Sequence, residues 1–321
     1  AALLPTMALA DNTAEAGSAQ ELQALLDSKT PHITLTGDIT LGENDTLTIP
    51  SYAVTINMAG HTISGGNLEV GVGSPILNLI GGGTINCLAE LNGTIRGNAK
   101  FLGGVIFNPR DTVTIEGCSF YGEITTCGNT TSVVFNGGTF YNTVSTAGCY
   151  DATVNGGVFH EDVTVVGSGG AGRVLGGVFY KGVTVGGSDC KVFAGIFFDE
   201  NLTAELSEGT VSMNVIFNAN GGTPDTVKAK AVAGKDGDIE YEAPIAQPEE
   251  NPTREGYVFT DWYTEPEGGE QFDFDSKWSM EQVKKQKELT LYAHWEEGIT
   301  VHFDGNGYKS TIKDKTVLTD K

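Results

Sequence analysis

Side chains that could carry out acid–base chemistry are few and widely spaced in this chain. Cleavage of a glycosidic bond needs two carboxyl groups that face the same bond, and Asp151 and Asp162 are the candidates in the regular middle region. When the repeats of that region are aligned, these two residues fall at different corners of the coil. The adjacent pair Glu161-Asp162 is more typical of a solvated turn. The sequence therefore indicates no catalytic residue and favours a protein without enzymatic activity.

Residues that could bind a metal are equally dispersed. The five histidines share no ligand spacing; they are His32, His61, His160, His294 and His302. The five cysteines contain no CxxC pair; they are Cys87, Cys118, Cys127, Cys149 and Cys190. A zinc site is therefore not expected, and we interpret the cysteines as small buried side chains, with a Cys127–Cys149 bond left open. No cofactor is assigned, although one calcium ion held by turn carbonyls and a single carboxylate would need no motif.

The element that must position any site is a repeat in the middle of the chain. Five segments share its pattern: Gly117-Cys118-Ser119-Phe120-Tyr121, Gly137-Gly138-Thr139-Phe140-Tyr141, Gly156-Gly157-Val158-Phe159-His160, Gly176-Gly177-Val178-Phe179-Tyr180 and Ala194-Gly195-Ile196-Phe197-Phe198. Their phenylalanines are 20, 19, 20 and 18 residues apart, a period typical of a solenoid with one repeat per coil. Short strands that turn at glycines predict a parallel β-helix, right-handed by the general preference for such crossovers. The period is imperfect before residue 110, so coil limits there stay undefined.

Alternation along the strands gives the repeat a candidate binding surface. If the phenylalanines point into the coil, the residues that follow them point outward. These predicted binding residues are Tyr121, Tyr141, His160, Tyr180 and Phe198. An exposed aromatic stripe can stack on sugar rings or on the apolar surface of a partner. The alternative is that the rings mainly stack on one another and stiffen the sheet.

The N-terminal region is predicted to close the first coil. Ser18-Ala-Gln-Glu21 has the spacing of a capping box, and the leucines that follow predict an amphipathic helix over about residues 19–28. A helix at this place would cover the unpaired edge of a solenoid. Residues 1–10 are apolar and end in Ala8-Leu9-Ala10, which indicates the remnant of a secretory signal.

The C-terminal part predicts a separate small domain. Strands at about 213–218, 257–263 and 289–295 carry large aromatic side chains for a core, and Ser279 to Lys287 predicts a short helix. Val215-Ile-Phe-Asn-Ala-Asn-Gly-Gly222, Trp262-Tyr263-Thr264 and Leu289-Thr-Leu-Tyr-Ala-His-Trp295 resemble an internalin-type B-repeat, a β-grasp-like module of bacterial surface proteins. Asp261 stands where that family commonly has glycine. Ile299-Thr-Val-His-Phe-Asp-Gly-Asn-Gly307 resembles the start of a second copy, which is truncated at Lys321.

The N-terminal two thirds resemble a second family. Thr34-Leu-Thr-Gly-Asp-Ile39 and Gly60-His-Thr-Ile-Ser-Gly65 are similar to the pectate-lyase-like right-handed parallel β-helix proteins. That superfamily includes polysaccharide lyases and hydrolases as well as adhesins without activity. The resemblance implies that a lyase would hold calcium and use an arginine or lysine as base. The coils offer Arg96, Lys100, Arg110, Arg173, Lys181 and Lys191 for that role, with no acidic cluster evident beside them.

Composition limits the partners. The formal net charge of −22 disfavours nucleic acid and anionic membranes, and no apolar run is long enough to span a bilayer. We expect an all-β dominated fold: residues 1–10 as signal remnant, 11–212 as β-helix with its capping helix, 213–298 as β-grasp-like B-repeat and 299–321 as the truncated repeat.

The predicted function is that of a secreted protein of a bacterial surface or cell wall. It would be a non-enzymatic monomer that binds a glycan or a surface protein of a host or neighbouring cell, with the B-repeat as spacer. A lyase or glycoside hydrolase acting on acidic polysaccharide, or a carbohydrate-binding module, is the alternative.

Overall fold

The protein is all-β dominated and forms a parallel β-solenoid, as the sequence predicted. The structure is a computed structural model that describes residues 13–107, 112–126, 132–167, 170–186, 190–198, 202–203, 206–301 and 315–318. The predicted signal remnant at residues 1–10, Arg110, Cys127 and His302 lie outside these ranges. The described residues fall into two compact units, one within 1–175, 183–191 and 203–205, the other within 176–182, 192–202 and 206–321. The domain limits drawn from the sequence stay predictions.

The solenoid strands are short, as glycine-rich turns require. In chain order the elements are β1 (Thr13–Ala16), α1 (Ala19–Asp27), β2 (His32–Leu35), β3 (Ile39–Thr40), β4 (Thr46–Ile49), β5 (Val54–Asn57), β6 (Thr62–Val70), β7 (Ile76–Ile80), β8 (Thr84–Leu91), β9 (Gly93–Gly97), β10 (Lys100–Phe101), β11 (Val105–Phe107), β12 (Val113–Ile115), β13 (Ser119–Phe120), β14 (Ile124–Thr126), β15 (Ser132–Phe135), β16 (Thr139–Phe140), β17 (Val144–Ser145), β18 (Asp151–Val154), β19 (Val158–Phe159), β20 (Val163–Val166), β21 (Gly172–Phe179), β22 (Val183–Gly186), β23 (Lys191–Phe197) and β24 (Leu202–Thr203). Like strands of successive coils pair in parallel, for example β13 with β16 and β16 with β19.

Helix α1 covers the first coil as predicted. The Ser18 side chain accepts a hydrogen bond from the Glu21 N–H at 3.3 Å, and Leu22 and Leu26 are buried. The Gln23 amide bonds to both the N–H and the carbonyl of Thr48 in β4. Because the first strands of a solenoid would otherwise expose an unpaired edge, these bonds let the helix cover that edge at β4.

Phenylalanine rings form the core column of the first unit. Phe120 stacks on Phe140 with ring centroids 5.1 Å apart, and Phe140 stacks on Phe159 at 4.7 Å. All three are fully buried, so the predicted inward direction is confirmed. Phe101 extends the column, since it pairs with Phe120 and stacks on it at 4.9 Å. The repeat pattern did not include Phe101, because no glycine stands two or three residues before it and Leu102, not an aromatic residue, follows it.

Glycine is required where the coil turns into this column. Gly138 and Gly157 have φ of +96° and +111°, a region that disfavours residues with a β-carbon. A Cβ on Gly138 would also lie 2.8 Å from the carbonyl oxygen of Gly117 in the preceding coil. The glycine pair therefore makes the corner, as the repeat pattern indicated.

The cysteines lie inside the coils. Cys87, Cys118 and Cys190 are free buried thiols and Cys149 is buried. Cys127 lies outside the described ranges, so its bond with Cys149 stays a prediction. Burial raises the pKa of Cys87 and of Cys118 to about 11.

Native Cys87 and Cys118 should therefore react slowly with alkylating reagents. With a pKa near 11, about 1% of each thiol is ionised at pH 9, against about half of a thiol at the reference value of 9.0. We expect timed iodoacetamide labelling with peptide mapping to run roughly 50-fold slower than in denaturant, and to accelerate as the pH rises toward 11. Labelling of either cysteine at the denatured rate at pH 9 would contradict their burial in the coil.

The C-terminal elements form a mixed sheet with one helix. They are β25 (Val211–Asn218), β26 (Thr226–Asp236), β27 (Ile239–Tyr241), β28 (Ala243–Pro244), β29 (Tyr257–Tyr263), β30 (Lys277–Trp278), α2 (Met280–Gln286), β31 (Glu288–Glu297), β32 (Ile299–Val301) and β33 (Lys315–Val317). Strand β25 is antiparallel to β26 and parallel to β31, and β31 is antiparallel to β29. A β-grasp-like module with strands near β25, β29 and β31 was predicted, as was α2, whose Ser279 and Gln282 form a capping box.

Strand β26 was missed by the sequence analysis. Its inward positions carry alanine and valine rather than large β-branched or aromatic residues; Ala229, Ala231 and Ala233 are all buried. Alanine is weakly favoured in strands, so the segment gave little strand signal. Its backbone hydrogen bonds nevertheless add a long strand to the sheet.

Within the second unit, β26 also pairs with the solenoid strand β23. Residues Gly195, Ile196 and Phe197 of β23 lie antiparallel to Val232, Ala231 and Lys230. Ile196 is fully buried in the same hydrophobic core as Met213, Val215 and Phe217. The C-terminal module therefore pairs with β23, which would otherwise present a free edge.

Candidate functional site

The predicted carboxylates are not brought together. Asp151 lies in β18, where its Oδ1 accepts the Ala171 N–H at 2.9 Å. Asp162 directly precedes β20, which pairs with β17 and β22 rather than with β18. Asp151 is thus used to hold a turn, and Asp162 adjoins a strand that does not pair with the strand of Asp151.

The basic candidates have local partners or open surroundings. Arg96 forms an ion pair with Glu116 of the next coil, and Lys100 is exposed in β10.

The structure does align two carboxylates that the sequence pattern did not predict, because Glu69 of β6 pairs directly with Glu90 of β8. The imperfect period before residue 110 concealed this pair. Among the described residues, no cluster of three or more His, Cys, Asp or Glu side chains could hold a metal ion.

A histidine–carboxylate contact lies on the surface of the first coils. The ring of His61 is 3.3 Å from Asp38 Oδ1, which also accepts the Thr62 N–H at 2.9 Å. The Thr62 bond and then the His61 contact lower the pKa of Asp38. The pair joins neighbouring coils and brings in no third functional group.

The most distinctive surface of the first unit is a stack of outward rings. Tyr121 stacks on Tyr141 with centroids 4.4 Å apart and ring planes 10° from parallel. Tyr141 stacks on His160 at 4.4 Å and 11°. We call these three residues the aromatic ladder. Tyr121 is 38% exposed and Tyr141 41% exposed, while His160 is half-buried.

Stacking leaves edges rather than faces of the ladder in solvent. Tyr141 lies between two rings, so both of its faces are covered and its edge and hydroxyl remain accessible. Desolvation, together with the charge and hydroxyl of Tyr121, raises the pKa of Tyr141. A sugar ring that stacks on an aromatic residue needs an open face, and the ladder offers none at Tyr141.

An aliphatic residue precedes the ladder in the same column. Because Phe101 pairs with Phe120, Leu102 occupies the position of Tyr121 one coil earlier, and it is 46% exposed. The outward column therefore combines the apolar side chain of Leu102 with the phenol rings of Tyr121 and Tyr141. The signal for Leu102 was the 19-residue distance from Phe101 to Phe120, which continues the repeat.

Tyr180 and Phe198 have a different environment in the second unit. The Tyr180 hydroxyl donates to the Gln247 carbonyl at 3.0 Å, and burial raises its pKa. Phe198 packs on the module core, with its ring centroid 6.0 Å from that of Phe217. Both side chains are half-buried, so neither position has the solvent exposure that was predicted for it. Their predicted binding role stays untested.

Comparison with known proteins identifies one segment. Residues 214–294 match the family model of the Listeria-Bacteroides repeat domain. No curated protein and no solved structure matches the chain. The match indicates a surface-associated protein of bacteria, in keeping with the resemblance of this segment to a surface repeat.

None of the helices in the described part of the chain has the length and apolar character needed to cross a bilayer.

Proposed function

We propose that this chain is a secreted, non-enzymatic adhesion protein that binds a protein partner through the aromatic ladder. The observation that supports a protein partner is the stacking of Tyr121, Tyr141 and His160 at 4.4 Å. Tyrosine edges and hydroxyls suit a broad protein surface, on which tyrosine is favoured because it combines apolar area with a polar tip. The stack also orders the rings before binding, so less side-chain entropy is lost on contact.

The C-terminal module would then act as a repeated spacer of the internalin B-repeat type. Strands β32 and β33 pair Val301 with Lys315, as β25 and β26 pair Val215 with Ala229. Both partners are shifted by 86 residues, so the second hairpin has the register of the first. This agreement supports a second copy that follows the first without insertion.

The partner class is tested by adhesion. Beads coated with the full chain are applied to a panel of epithelial and bacterial cells that are untreated, protease-treated or periodate-treated. We expect adhesion that is lost after protease, persists after periodate, and falls about tenfold or more in Tyr121→Ser/Tyr141→Ser. Tyr150→Ser is the matched control, since Tyr150 is 48% exposed and lies off the ladder.

Three outcomes would overturn this proposal. Adhesion that resists protease but not periodate would assign the ladder to a glycan. Equal adhesion of the ladder variant and the wild type would place the binding site elsewhere. Absence of adhesion by the wild type would leave the ladder with a purely structural role.

A further inference from the structure

The C-terminal module contains an open cleft that the ladder proposal does not involve. It has a volume of about 730 Å³ and is lined by residues of four segments, among them Arg254, Tyr257, Glu265, Glu267 and Trp295. Volumes of roughly 300–1,000 Å³ are typical of small-ligand sites. The cleft therefore has the size of a binding site for a small ligand or the end of a glycan.

Arg254 presents an uncompensated cation to this cleft. Its guanidinium carbon lies 4.0 Å from the centroid of the Tyr257 ring, and its Nη1 is 3.5 Å from the Asn220 carbonyl oxygen. Arg254 is half-buried, and within the described ranges its guanidinium forms no ion pair with a carboxylate. Several donors of the guanidinium are thus left for a ligand.

Acceptors line the same cleft. Glu265 and Glu267 are exposed, and neither carboxylate is in an ion pair within the part of the chain that the structure describes. Unpaired donors and unpaired acceptors therefore border one space without neutralising each other. Trp295, half-buried, adds apolar surface.

The cleft is held in shape before any ligand arrives. The Asn220 side-chain amide donates to the Pro266 carbonyl at 2.8 Å and to the Ala293 carbonyl at 3.1 Å. His294 Nε2 donates to the Glu265 carbonyl at 2.9 Å. The Trp295 indole N–H donates to the Ala219 carbonyl, also at 2.9 Å. These bonds join the loops to β31, so binding would not have to order them.

From these groups we infer that the cleft binds a neutral saccharide. Each sugar hydroxyl both donates and accepts, so it can pair with Arg254 and with Glu265 or Glu267, while the C–H faces of the sugar contact aromatic surface. An anionic ligand would meet the two glutamates in a chain of net charge −22, and a cationic ligand would meet Arg254. A neutral, hydroxyl-rich ligand avoids both repulsions.

The test is direct binding by the full chain. An array of neutral hexose and N-acetylhexosamine oligosaccharides, with sialylated and sulfated glycans alongside, identifies a probe, and its affinity is then measured by calorimetry. We expect neutral glycans to bind and Arg254→Met to weaken the affinity about tenfold or more, because charged hydrogen-bond partners are lost. Glu267→Gln should weaken it about threefold to tenfold. Lys285→Met and Glu281→Gln, exposed on α2, are the matched controls and should leave it unchanged.

The ladder variant separates this inference from the proposed function. Tyr121→Ser/Tyr141→Ser should retain saccharide affinity even where it has lost adhesion. Thermal melts check that Arg254→Met folds, and Glu267→Gln provides the decision if it does not. The inference is overturned if no neutral glycan binds, if only acidic glycans bind, or if both cleft variants bind as tightly as the wild type.

Discussion

Replacing Ile196 by aspartate should unfold the C-terminal module. Ile196 is fully buried, pairs with Ala231 of β26 and packs with Met213, Val215 and Phe217. The variant loses a buried aliphatic side chain, a cost of about 2–5 kcal/mol, and places an unpaired carboxylate in its place. We expect the free energy of unfolding of the module to fall by more than about 4 kcal/mol, a large part of the stability of a small domain.

Tryptophan fluorescence can follow this transition selectively. The chain has three tryptophans, Trp262, Trp278 and Trp295, and all belong to the module. Ser212→Asp is the control, because it adds the same charge at an exposed position of β25 and should change stability by less than about 0.5 kcal/mol. An Ile196→Asp protein with an unchanged tryptophan transition would refute the shared core of β23 and the module.

Ile196→Asp should also promote aggregation. Loss of the β23–β26 pairing would leave β23 with unpaired backbone groups and would expose half-buried apolar residues such as Phe198. An exposed strand edge is a template for pairing with another chain. Light scattering at the midpoint of the tryptophan transition measures this effect. A variant that unfolds and stays monodisperse would show that another element protects the edge.

Replacing Phe140 by alanine should have a comparable effect on the first unit. Phe140 is fully buried between Phe120 and Phe159, and its ring is perpendicular to that of Phe135, with the two centroids 5.3 Å apart. Truncation of a buried phenylalanine costs about 3–5 kcal/mol, and the stacked partners on both sides limit collapse of the cavity. Because a solenoid derives its stability from neighbouring coils, the loss should extend beyond one repeat. Denaturant unfolding monitored by far-UV circular dichroism measures it.

Tyr141, which directly follows Phe140, provides an exposed ring whose truncation can be compared with that of the buried ring. Tyr141→Ala removes an exposed ring that stacks on Tyr121 and His160, and we expect a loss of about 1–2 kcal/mol. The difference between the losses of unfolding free energy in the two variants separates the contribution of the buried ring from that of the exposed ring. Equal losses would mean that the aromatic ladder supports the fold as strongly as the phenylalanine column does, which would weaken its assignment as a binding surface.

Local patterns predicted most of the solenoid. The recurrence of phenylalanine every 18 to 20 residues identified one side of each coil, and alternation assigned Phe140 inward and Tyr141 outward. The Ser18 capping box located α1, and the segment from Ser279 to Lys287 was predicted to contain α2. These features depend on residues close in sequence, so a single chain suffices to reveal them.

Other features depend on contacts that sequence distance conceals. The Glu69–Glu90 pairing lies where the period is imperfect, so no alignment of coils could place it. Strand β26 is rich in alanine, and its existence is decided by backbone bonds to β25 and β23. The cleft combines loops that are far apart in sequence, since Asn220 meets Pro266 and Ala293.

The sequence by itself thus determined the period, the inward phenylalanine column and the type of C-terminal module, because period and alternation follow from local backbone geometry. Only the tertiary structure decided how the outward positions are used. Tyr121 and Tyr141 stay exposed, whereas Phe198 packs on the module core and Tyr180 bonds to Gln247. The physical reason is that alternation fixes the direction of a side chain but not what lies beyond it, and in the second unit the module occupies that space.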